Sequence, residues 1–134
     1  MIFWERREGI ILEISEQLKK EKKIKQESNR IKKIFKDIPK DKVKVLEGLI
    51  QEASFMKISL EDLRDDLLKN GFTELFVQGD QSYIIQRANS KVYTTLIQRY
   101  GTTMKQLIEN LPIEEKKLES NKLAEFLQKG KIKK

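Results

Sequence analysis

A chain of 134 residues with 38% apolar and 37% charged side chains is about one domain, with a modest core and extensive solvated faces. Cysteine and histidine are both absent, which removes disulfides, thiolate nucleophiles, zinc knuckles and the commonest general base and metal ligand. The net charge of +7 is unevenly placed: residues 19–44 carry twelve basic groups against four acidic ones, residues 129–134 add four lysines, and the rest of the chain is net acidic.

The start, MIFWERREGIILEISEQ, has two apolar patches, but Glu5, Glu8 and Glu13 interrupt them where a signal peptide or membrane span needs an unbroken run. A cytosolic protein with no membrane partner is therefore expected. The first helix is predicted from about Glu8 to Asp37, ahead of Pro39, with Ile10, Ile14, Ile24, Ile31, Phe35 and Ile38 on one seam. Gln17, Glu21 and Ser28 break that seam, which argues against a continuous coiled coil and for two packed ends joined by a solvated middle. A second helix, about Lys42 to Met56, has a clear apolar arc of Val43, Leu46, Leu49, Ile50, Ala53 and Met56. Ser59 followed by Asp62 approximates a capping box and predicts a third helix, which Asn70-Gly71 stops.

Between Phe72 and Arg87 the stretch FTELFVQGDQSYIIQR places β-formers on both sides of Gln78-Gly79-Asp80, so a hairpin or an extended arm is expected at 72–87. A fourth helix spans 89–112, closed by Pro112, and a last amphipathic helix through Leu118, Leu123, Phe126 and Leu127 leads into a basic tail. The expected fold is mainly α, a helical hairpin or bundle of four to five helices. Its expected parts are a long N-terminal helix with a basic arm (1–41), a helical core (42–112), and a C-terminal helix and tail (113–134).

Catalysis finds little support in these residues. The six glycines nowhere form GxxxxGK[ST] or GxGxxG, so there is no backbone cradle for nucleotide phosphates and no cofactor is expected. Glu61, Asp62, Asp65 and Asp66 could in principle hold a divalent cation, but they stand on one short predicted helix where capping and solvation account for them. Neither a catalytic residue nor a metal ligand is assigned. The basic arm is more telling. On a helix Lys22, Lys25, Asn29, Lys32, Lys33 and Lys36 fall within an arc of about 100°, with no carboxylate among them, a stripe suited to tracking phosphates. Such a stripe supplies affinity and salt dependence but no base reading. A helix-turn-helix around FMKIS (55–59) is disfavoured, because residues 60–70 would press carboxylates towards phosphates.

The segments IFKDIPKDKVKVLEGLIQEASFMKISLEDLRDDLLKNG and VYTTLIQRYGTTMKQLIENLP together resemble the small subunit of bacteriophage terminases, in one of its helical families. The resemblance covers about residues 30 to 112. It rests on the Ile38-Pro39 break, Glu47-Gly48-Leu49-Ile50, Ala53-Ser54-Phe55-Met56, Leu60-Glu61-Asp62-Leu63, and Lys105-Gln106-Leu107 running into Leu111-Pro112. It implies a non-catalytic DNA-packaging factor that forms homo-oligomeric rings, binds double-stranded phage DNA, and recruits and regulates a large subunit carrying ATPase and nuclease. Such a protein works in the cytoplasm of the infected or lysogenic bacterial host. The alternative is a helical structural or adaptor protein whose basic arm binds an acidic protein partner.

The helix expected at 89–112 presents Tyr93, Ile97, Tyr100, Met104 and Ile108 within an apolar arc of about 160°, wider than one neighbour requires. Gly101, at the border of that arc, costs about 1 kcal/mol relative to alanine in a helix interior. It reads either as the site of a close approach by another helix, a neighbouring subunit's included, or as a tolerated glycine. Tyr93, Ile97, Tyr100, Gly101, Met104 and Ile108 are accordingly the candidate oligomerisation surface.

Overall fold

The computed structural model describes the backbone of residues 2–129 and the side chains of residues 9–129. Four helices and one hairpin follow in chain order: α1 (Ile2–Ile34), α2 (Lys40–Asn70), β1 (Thr73–Gln78), β2 (Gln81–Gln86), α3 (Ala88–Ile108) and α4 (Ile113–Lys129). The protein is mainly helical with a short antiparallel hairpin. α2 is the central element. It packs antiparallel to α1 on one side and to α3 on the other, and α4 folds back along α3.

Both prolines stand immediately before a helix. Proline fixes its own φ and disfavours helical geometry in the residue before it, so it ends one helix and starts the next. After α1, the Phe35 N–H donates to the Lys32 carbonyl and the Ile38 N–H to the Phe35 carbonyl, and from Pro39 the chain turns into α2. Pro112 plays the same part before α4, where its carbonyl accepts from Lys116 N–H at 2.7 Å. α3 therefore stops at Ile108, short of the proline expected to close it.

The helices expected at 42–56 and 59–70 are a single helix. A capping serine needs non-helical backbone, and nothing between Met56 and Leu60 breaks the helix. Ile58 and Leu60 are buried, carrying the apolar seam of Leu46, Ile50, Ala53 and Met56 onward to Leu67. Core burial outweighs the local capping signal. The helix ends where Asn70-Gly71 predicts: Gly71 adopts φ 80° and its N–H returns to the Leu67 carbonyl at 2.8 Å.

α1 also differs from its expected form. Ile31 and Phe35 are buried and Ile34 and Ile38 pack against them, but Ile10 and Ile14 are 55% and 51% exposed. Among the described side chains, packing thus occupies the C-terminal part of α1. Of the three residues that break the seam, Gln17 and Glu21 are exposed, as a solvated middle requires, while Ser28, with Glu27 beside it, is buried against α2. One apolar cluster draws on all four helices, from Ile31 and Phe35 through Leu46, Ile50, Leu60 and Leu67 to Tyr100, Leu107 and Leu123. Leu118, expected on the apolar face of the last helix, is exposed. No helix among the described residues is long and apolar enough to cross a membrane.

Candidate nucleic-acid interface

The lysines singled out in the sequence lie on the outer face of α1 and in the turn that follows it. Burying Ile31 and Phe35 against α2 rotates the opposite face outward, so Lys22, Lys25, Asn29 and Lys33 are all exposed. From Lys22 to Lys33 the row runs about 17 Å at 1.5 Å per residue. Lys36 lies beyond the helix end, but the Lys36 N–H bond to the Lys33 carbonyl keeps the turn wound, and its side chain stays exposed. Lys32 departs from the row: it leans towards α2 and pairs with Glu47 at 3.6 Å.

Chain reversal at Pro39 adds positive charge that a wheel of the first helix cannot show. Lys40 and Lys44, in the first turns of α2, join Lys32 and Lys36 around a hollow of about 390 Å³ floored by Phe35, Ile38 and Val43. Glu47 is the one acid in its wall, and Lys32 pairs with it. The positive end of the α2 dipole adds to this field, while Lys32 and Lys33 offset the negative end of α1. The arrangement can attract and hold polyanions. It presents no donor set fixed to read a base edge.

Of the four clustered carboxylates, Asp62 and Asp66 serve contacts within the chain. Asp62 pairs with Lys20 of α1 at 3.5 Å. Asp66 accepts from Arg87 Nη2 at 2.9 Å, from Asn89 Nδ2 at 2.9 Å and from Asn70 Nδ2 at 2.8 Å. Those hydrogen bonds, that of Arg87 first, hold its carboxyl at about 2 against an ordinary 3.8. Arg87 also donates to the Gly71 carbonyl at 2.7 Å and so clasps the base of the hairpin to the end of α2. Among the described residues no three acidic side chains converge as metal ligands. Residues 55–70 are uninterrupted helix, which leaves no turn for a helix-turn-helix there.

A second charged cluster lies inside the bundle. Glu27 accepts from Arg30 and from Lys57 at 3.3 Å. Burial opposes its ionisation, but the Arg30 hydrogen bonds and the Lys57 charge outweigh that, and the carboxyl titrates below its ordinary value. Burial pushes the neighbouring Tyr100 hydroxyl upward.

The candidate oligomerisation residues are placed differently from expectation. Tyr93, Tyr100, Gly101, Met104 and Ile108 are buried within the chain and Ile97 is half-buried. Their neighbour is α4. A Cβ at Gly101 would sit 3.8 Å from a Leu127 methyl. Tyr100 meets the Phe126 ring edge-on at 5.2 Å, and the Arg64 guanidinium covers that ring at 4.7 Å while donating to the Tyr93 hydroxyl at 3.3 Å. The helix beside Gly101 is therefore one of the same chain, at a distance where a Cβ makes ordinary contact, so no close approach requires the glycine.

Sequence reasoning missed Lys40 and Lys44 as part of the basic end, and Arg87 as the clasp. The lysines were visible only as composition until the chain reversal was known. Arg87 carried no local signal beyond its place at the end of a β-forming run. Compared with known proteins, the chain matches no family model, no curated protein and no solved structure.

Proposed function

We propose that this protein is a non-catalytic, DNA-binding subunit of the terminase small-subunit kind, which holds double-stranded DNA and presents it to a larger ATPase–nuclease partner in the host cytoplasm. One observation carries the reading: Lys22, Lys25 and Lys33 form an exposed row on one side of α1, and Lys36, Lys40 and Lys44 extend it around the turn. Solvated helices commonly interleave both signs, whereas a one-sign row follows a phosphate backbone. The resemblance over residues 30–112 supplies the biological setting, and the charge row supplies the contact.

Charge reversal tests it. Lys25→Glu with Lys33→Glu should weaken binding to any duplex by tenfold or more, about 1.4 kcal/mol, while Lys117→Glu on the exposed face of α4 has a smaller effect. Equal losses from both variants would contradict the reading. If affinity for duplex is unchanged and an acidic protein is still captured from nuclease-treated lysate, the adaptor reading takes its place.

A further inference from the structure

The hairpin stands apart from the rest of the molecule. All twelve strand residues are exposed, and none belongs to the core. The strands pair one to one, from Thr73↔Gln86 to Gln78↔Gln81, with no bulge. Gly79, at φ 60°, opens a two-residue turn in which Asp80 keeps a negative φ, the arrangement of a II′ turn. Directly paired residues share a face, so Leu75, Val77 and Ile84 lie on one side and Phe76, Tyr83 and Ile85 on the other. Neither side packs on a helix. A two-stranded hairpin alone is marginal in water, and one apolar on both faces is more so.

Its edges are also unguarded. The Arg87 N–H donates to the Phe72 carbonyl at 2.8 Å, which makes 72/87 a hydrogen-bonded pair. Alternation along an antiparallel ladder then leaves the peptide groups of Ser82, Ile84 and Gln86 pointing away from β1. Edge strands are normally protected by lysine, proline, a bulge or a covering element. β2, QSYIIQ, has no charge, no proline and no bulge in a chain that is 37% charged.

We propose that the open edge of β2 pairs with the hairpin of a second copy of this chain, so that two hairpins share one continuous sheet. This deepens the proposed function, on which it rests for its setting, by naming the segment that joins subunits. Two observations select a second copy as the occupant. Identical edges without charge meet with no like-charge penalty, whatever their register. Pairing β2 with β2 also sets Tyr83, Ile84 and Ile85, all exposed in the single chain, beside the same side chains of the second copy, which adds apolar cross-strand contacts to the backbone hydrogen bonds.

Proline at position 84 provides the test. Because the Ile84 N–H points outward, Ile84→Pro leaves the internal ladder intact and removes only the donor offered to a partner. Ile84→Ala trims the side chain but keeps that donor. Sedimentation of the wild-type chain without DNA should show an assembly. Ile84→Pro should weaken it by tenfold or more, well beyond Ile84→Ala, with unchanged helical circular dichroism in both. A wild-type chain that stays monomeric at every concentration would overturn the proposal, as would equal effects of proline and alanine. Duplex affinity measured on the lysine variants reports separately on the DNA reading, so either claim can fail without the other.

Discussion

Gly101 shows how one position separates two kinds of packing. Its missing side chain faces Leu127 of α4 at ordinary contact distance, and its φ is negative. Gly101→Ala therefore adds a methyl that fits and removes the helix penalty of glycine. We expect it to stabilise the fold by about 0.5–1 kcal/mol, read as a raised thermal midpoint. Gly101→Leu should lower that midpoint, because the larger side chain must displace α4. Asp66 and Glu27 make the other expectation at this scale. Both carboxyls titrate lower in the folded chain than when unfolded, so their contribution to stability is present above the ordinary carboxylate range and is lost as pH falls. For Asp66 the window runs from 3.8 down to about 2. The thermal midpoint should fall across it, and Asp66→Asn should remove part of that fall. Glu27→Ala strands Arg30 and Lys57 in a partly buried site, at a cost of about 1–2 kcal/mol measured by denaturant unfolding.

Among the elements, α2 gives the sharpest contrast between local signal and tertiary context. A serine that caps a helix loses about 1 kcal/mol when replaced by alanine. Ser59 sits instead in mid-helix with a buried hydroxyl that has no hydrogen-bond partner. Ser59→Ala should accordingly be neutral or stabilising by up to about 1 kcal/mol, and a clear loss in urea unfolding would restore the cap. Much of the architecture was legible in the sequence, namely the mainly helical fold, the α2 stop at Asn70-Gly71, the outward lysines other than Lys32, and β-formers about Gly79-Asp80, which left a hairpin and an extended arm both open. What escaped has a common cause. Periodicity identifies an apolar face but not what covers it, so Ile10 and Ile14 looked like core and are exposed, while Tyr100 and Met104 looked like a subunit surface and are covered by α4. Contacts distant in sequence, such as Arg87 with Asp66 and Lys57 with Glu27, left no local trace.

At the scale of the whole molecule the two proposed contacts divide by location. The bundle end at the α1–α2 turn gathers the lysines, the shared core fixes which face of α1 turns outward, and the hairpin emerges from the far end of α2. The proposed DNA contact and the proposed subunit contact thus fall at opposite ends of α2, so each is open to alteration alone. The most direct measurement of the central claim is the salt dependence of duplex binding. Neutralising three phosphate contacts with Lys25→Gln, Lys33→Gln and Lys36→Gln should reduce the slope of log K against log salt concentration by about 3. A slope unchanged from that of the wild-type chain would contradict the account.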